Sequence, residues 1–103
     1  MSARAAPAVT STIVERGDAR TAISIEMLAQ GSGPRIVLLP SLGRGASDFD
    51  VVAERIAGAG YRVLRPQPRW NGASRSPAPY ADLHDCAADI AAVIERDGGG
   101  AAL

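Results

Sequence analysis

Pro34-Arg35-Ile36-Val37-Leu38-Leu39-Pro40-Ser41-Leu42-Gly43-Arg44-Gly45 is the stretch on which the reading of this chain turns. Ile36 to Leu39 form an apolar run with no alternation. Such a run suits a strand buried on both faces, as in the middle of a parallel sheet. A glycine-bearing loop, Pro40 to Ala46, ends the run and leads into a helical pattern. Strand, loop and helix in this order open a parallel crossover unit.

Working outward, Ser47 is placed to cap the helix, with Asp50 three residues on as an acidic capping-box partner. Phe49, Val52, Ala53 and Ile56 share one helical face, and Gly58 and Gly60 supply the stop. Tyr61 to Leu64 reads as the next strand, ended by Pro66 and Pro68. A polar loop from Gln67 to Pro79 precedes a second helix over Ala81 to Asp97. Its apolar stripe is Leu83, Cys86, Ala87, Ile90, Val93 and Ile94. Gly98 to Gly100 ends that helix, and Ala101 to Leu103 reads as the first residues of a strand.

Upstream, Ser11–Glu15 and Arg20–Ala29 read as an antiparallel pair turning at Gly17-Asp18. Ile23, Ile25 and Met27 alternate with Ala22, Ser24, Glu26 and Leu28, which is strand periodicity. Residues 1–10, rich in Ala, Pro, Ser and Thr, read as a loose leader, and 11–103 as one incomplete domain. The fold class is therefore α/β: a hairpin, then β-α-β-α, mostly parallel after the hairpin.

Bulk properties narrow the function classes. Eleven basic and eleven acidic residues cancel, so no net field recruits nucleic acid or an anionic membrane. No apolar run approaches the ~20 residues of a membrane span, and the start carries no signal-peptide core. Cys86, the single cysteine, excludes an intrachain disulfide and fits a reducing, cytoplasmic setting. No metal or cofactor motif is present in the sequence.

The sequence resembles the α/β-hydrolase family in the order of its motifs. The matching stretches are Ile36 to Gly43, then Gly60-Tyr61-Arg62-Val63-Leu64, then Pro66-Gln67-Pro68-Arg69-Trp70-Asn71-Gly72-Ala73-Ser74. They stand where the family has an apolar strand ending in His-Gly, a Gly-Tyr-Arg-Val strand and a Pro-Asp-x-Arg-Gly-x-Gly-x-Ser loop. The resemblance runs from about Val9 to Leu103. It implies hydrolysis of an ester, amide or related bond in a small-molecule substrate, without a cofactor. It also implies that the Leu42 amide serves the oxyanion hole, with Ser41 and Gly43 shaping the turn. Pro40-Ser41 replaces the usual His-Gly, and Pro has no N–H and a locked φ. Arg69 and Trp70 fall near the active-site rim, where they either line a substrate entrance or pack against the crossover helix.

The family's nucleophile elbow, G-x-S-x-G, has no counterpart in these residues. The nucleophile, acid and base are therefore expected elsewhere, and this chain alone is expected to be inactive. The remaining chemistry-bearing residues have structural readings. His84 lies beside the helix stripe as a boundary residue, and Asp85 and Asp89 read as solvated charges on an exposed face. Cys86 reads as a small core residue.

Two rival readings stand beside this one. In a nucleotide-binding module, Gly43-Arg44-Gly45 would cradle a phosphate, but Asp48 holds the third glycine's place and repels anions. In a degenerate, non-catalytic relative, the same residues would serve binding or scaffolding. A further expectation concerns association: if Ile36 to Leu39 lack a partner strand on one side, that apolar edge drives self-association.

Overall fold

The computed structural model describes residues 8–17, 22–40, 45–77 and 81–98. β1 (Thr10–Arg16) and β2 (Ile23–Gln30) form the expected antiparallel pair, in register from Thr10 opposite Ala29 to Arg16 opposite Ile23. β3 (Arg35–Val37) and β4 (Arg62–Pro66) run parallel, and β4 also pairs antiparallel with β2. The sheet order is β1-β2-β4-β3. The first helix, α1 (Asp50–Gly58), makes the crossover from β3 to β4, and α2 (Leu83–Arg96) follows β4.

The helices cover opposite faces of the sheet. Val14, Ile23, Ile25, Met27, Ala29, Val37 and Leu64 meet Val93 of α2, with Ile90, Ala92 and Ile94 packed beside them. On the other face Ala53 and Ala57 of α1 close on Val63, joined by Leu38 and Ile56. The odd residues of β2 thus enter the core, as their alternation requires. Each fully buried aliphatic side chain contributes roughly 1.5–3 kcal/mol. The turn from β2 into β3 threads closely past the end of α1. A Cβ on Gly31 would stand 2.2 Å from the Tyr61 carbonyl oxygen, and one on Gly33 2.1 Å from that of Gly60. Both glycines also have positive φ, so side chains are excluded twice over.

Three local expectations are corrected. Ser47 does not cap α1: residues Ala46–Phe49 form a 3-10 turn, and Phe49 precedes α1 without a side-chain cap. Asp50 instead turns its carboxylate to the buried guanidinium of Arg65, a charge-assisted bond that outcompetes a neutral cap. The cap that does form belongs to α2, where Asp82 accepts from the Asp85 amide at 2.9 Å and Asp85 accepts from the Asp82 amide at 3.0 Å. Second, Val52 is exposed because the smaller Ala53 and Ala57 face the sheet. β3 is covered on both faces as expected, Val37 in the α2 cluster and Leu38 against the α1 cluster; it stands at the end of the described sheet, and Leu39 beyond it is 40% exposed.

The third correction bears on function. Asp89 is buried rather than solvated, because the sheet-facing side of α2 is rotated away from its apolar stripe. Asp89 and Val93 face the sheet, while Leu83, 86% exposed, and Ala87 face outward. Part of the stripe that reads as a core seam in the sequence is left open.

Candidate functional site

Leu39-Pro40, just beyond β3, and Pro66 to Arg69, at the end of β4, lie side by side at the C-terminal edge of the parallel strands, where ligands of open α/β sheets bind. A groove of about 390 Å³ lies there, between Leu39-Pro40, Pro66 to Arg69 and the α2 residues Leu83, Cys86, Ala87 and Ile90. Its walls are mostly apolar, with Arg69 and Asp89 as the charged members.

Each wall is held by bonds that originate in the loop after β4. The Gln67 amide donates to the Glu26 carbonyl at 2.8 Å, continuing the ladder beyond β4. Its side-chain Oε1 accepts from the Ala46 amide at 2.8 Å. Arg65 reaches the Ala46 carbonyl at 3.2 Å and donates to Gln30 Oε1 at 2.8 Å. Ala46 is thus gripped on both its N–H and its C=O, which fixes where the β3-to-α1 connection re-enters the fold. Ser74 is fully buried: its Oγ accepts from the Glu26 amide at 2.9 Å and donates to the Gln67 carbonyl at 2.8 Å. Backbone bonds between Ser24 and Arg75, at 2.9 and 2.7 Å, pin the far end of the loop to β2.

Glu26 closes the same loop from outside. Its carboxylate accepts from Ser11 Oγ at 2.6 Å and from the Ala73 amide at 3.0 Å. The Ser11 hydroxyl first, then the Ala73 amide, hold its pKa below the ordinary carboxylate value.

Arg69 and Trp70 occupy different positions. Arg69 lines the groove, but its guanidinium is buried and fully directed inward. Nε donates to Asp89 Oδ2 at 2.8 Å, Nη2 to Oδ1 at 3.1 Å and Nη1 to Ser76 Oγ at 3.3 Å. The bond to Asp89, chiefly, raises the Arg69 pKa above its usual value. Arg16 of β1 adds a further bond to Asp89 Oδ1 at 2.8 Å. Trp70 is 47% exposed and has φ 67°, a left-handed conformation uncommon for a bulky residue. Backbone strain of this kind collects at functional loops. The three turn residues Ser41, Leu42 and Gly43 lie outside the described residues.

The other candidate side chains do not assemble into a catalytic set. His84 is exposed in the first turn of α2, and Cys86 is half-buried on the groove wall. The Ser74 hydroxyl has both its donor and acceptor roles filled by backbone, which leaves no proton path to a base. Among the described residues no group of three or more His, Cys, Asp or Glu could hold a metal ion. No helix among them is long and apolar enough to cross a membrane.

Gln67, Arg65 and Asp89 organise the site, and none of the three stands out in the sequence as a site residue. Arg65 carried a signal: a charge following Val63-Leu64 in a buried strand requires a partner. Asp89 and Gln67 carried none, because their partners lie 20 and 21 residues away with no fixed spacing rule.

No family model matches the chain, and neither does any curated protein. Solved structures do match. An esterase from Exiguobacterium antarcticum is 29% identical, with a TM-score of 0.72 over 87% of this chain and 32% of that one. An alpha/beta hydrolase from Sphaerobacter thermophilus is 28% identical, with a TM-score of 0.69 over 84% and 33%. An epoxide hydrolase from Vigna radiata is 22% identical, with a TM-score of 0.77 over 92% and 30%. The chain therefore spans about a third of the length of these structures. With the hairpin, the β1-β2-β4-β3 order and this likeness together, the chain carries the N-terminal part of the α/β-hydrolase fold.

Proposed function

We propose that this chain forms the oxyanion-side part of a hydrolase that cleaves an ester, amide or related bond in a small molecule. The observation that carries this reading is the gripped re-entry at Ala46, beside an apolar groove at the C-terminal ends of the parallel strands. A backbone donor aimed at a developing oxyanion must be pre-positioned, because only then is its dipole oriented before charge appears. Leu42 supplies that donor, with Ser41 and Gly43 shaping its turn. Arg69 is a positioning residue at the rim, tying the β4 loop to α2 through Asp89, and Trp70 borders the substrate entrance. The nucleophile, acid and base come from residues beyond these 103. The lone Cys86 supports a cytoplasmic setting.

The esterase and the epoxide hydrolase act on different bonds, so the shared fold does not select the substrate. A binding or scaffold role is the second reading, and Pro40-Ser41 favours it, since Pro40 contributes no N–H to the oxyanion side.

Reading the gene past the codon for Leu103 separates the two. The hydrolase reading expects an in-frame G-x-S-x-G with a later acid and histidine, and ester turnover by the longer product that is lost when that serine becomes alanine. A continuation with another residue at the serine position, or a longer product that turns over no ester, amide or epoxide, overturns it.

A further inference from the structure

We infer that Trp70 is a specificity-determining residue, selecting substrates that carry a planar aromatic group. This substrate class belongs to the same site as the hydrolase reading and rests on it. Trp70 has φ 67°, in the left-handed region that glycine enters freely and a bulky residue enters at a cost. In the Pro-Asp-x-Arg-Gly-x-Gly-x-Ser loop that this stretch resembles, Trp70 stands at the first glycine and Gly72 at the second. Gly72 has φ 52°, so both positions keep a glycine conformation. At the first of them this chain carries an indole.

The loop imposes the strain without help from that indole. The Trp70 amide donates to the Ser74 carbonyl at 3.1 Å, the Asn71 amide to Pro68 at 3.0 Å and the Ser74 amide to Asn71 at 2.9 Å. Arg75 Nη1 clamps the Gly72 and Ser74 carbonyls, both at 2.7 Å. Buried Ser74 Oγ and the Glu26 carboxylate fix the loop to β2. The indole adds no hydrogen bond among the described residues, and Trp70 is half-exposed. A strained residue whose loop is fixed by other groups points to a role for its side chain outside the loop.

The neighbours select what the indole meets. Arg69 lines the groove, but its guanidinium is committed to Asp89 and Ser76. Trp70 is therefore the large side chain that this loop leaves open at the groove's border. The groove is mostly apolar, and an indole beside it continues that surface. A planar aromatic group stacks on an indole and gains more than the burial available to an alkyl chain. A cation, which aromatic faces also attract, finds no free counter-charge here. Residues 67–77 include Arg69 and Arg75 and no acidic residue, and Asp89 and Glu26 are already bonded to the loop.

Selectivity in the longer product tests this with esters of similar size. Benzyl acetate and ethyl phenylacetate place a ring on either side of the ester, where hexyl acetate and ethyl hexanoate place an alkyl chain. The wild type is expected to favour at least one ring-bearing ester over its alkyl counterpart in kcat/KM. Trp70→Gly is expected to cut that preference by about tenfold, and Trp70→Phe to keep most of it. The melting temperature of Trp70→Gly should stay within about 4 °C of wild type, because relief of the left-handed strain offsets the lost contacts. A larger fall would overturn the inference, since the indole would then be packing against further chain. An active wild type without a ring preference, or a preference that survives Trp70→Gly, would overturn the inference alone. A gene that ends at Leu103, or a longer product that turns over none of these esters, would remove the hydrolase reading and the inference with it.

Discussion

Where α2 crosses β1 and β2, its polar Asp89 and its apolar Val93 both find counterparts. Asp89 stands between Arg16 and Arg69, and Val93 closes on Val14, Ile25 and Met27. Where the same helix passes β3, Leu83 and Ala87 stay open across a groove from Leu39. One helix thus has a finished flank and an unfinished one. The finished flank uses buried arginine–aspartate pairs, which specify position because a mispaired buried charge is costly. The open flank is apolar and lined by strand ends, the composition of a surface that something else completes.

The sharpest way to break this comparison is at Asp89. Asp89→Ala leaves Arg69 buried without its carboxylate, and breaking a buried pair from one side costs roughly 3–5 kcal/mol. Total stability of a small domain is only about 5–15 kcal/mol, so the urea midpoint should fall steeply or the transition vanish. An unchanged midpoint would mean that the flank is not held in this way.

Acid should loosen the same framework at its other end. Asp97 accepts from Arg62 at 2.7 and 2.8 Å and from Arg35 at 2.7 Å. These bonds, with Arg62 the largest influence, depress its pKa below the ordinary 3.8. A depressed folded-state value means that its contribution is complete above the unfolded value and lost as pH falls through the folded one. Glu26 and Asp85, also depressed, act in the same direction. The melting temperature should therefore drop below about pH 4, where carboxylates protonate. Asp97→Asn should melt lower near neutrality and lose part of that acid dependence.

Gln67→Ala sharpens the comparison at the groove. It removes the side-chain grip on the Ala46 amide, a loss of about 1 kcal/mol. Hydrogen exchange at Ala46 should accelerate while β1 and β2 amides change little. The smallest effect belongs to the open flank: Leu83→Ser should alter the urea midpoint by no more than ~0.5 kcal/mol, as for surface positions. A large loss there would show that the α2 stripe is covered.

These residues also mark what a single sequence discloses. The hairpin was legible because Ile23, Ile25 and Met27 alternate, and the crossover because an apolar run is followed by a glycine loop and a helical period. The α2 stripe was legible too, but not which way it faces. Periodicity identifies an apolar face without identifying its neighbour, so Asp89 read as solvated and Leu83 as core. Long-range pairs such as Arg69 with Asp89 and Gln67 with Ala46 have no local signature. The ends of the parallel strands could be placed as the chemical edge of the fold, whereas the bonds that hold that edge could not.

Among the described residues the molecule has a locked flank at β1, β2 and α2 and an open one at β3. Residue-resolved hydrogen exchange in dilute solution tests this most directly. Slow, globally limited exchange is expected at Ile25, Met27 and Leu64, with Val37 and Leu39 exchanging far faster. Equal protection at Val37 and Leu39 in the dilute monomer would contradict it, since their amides would then have partners within the chain itself.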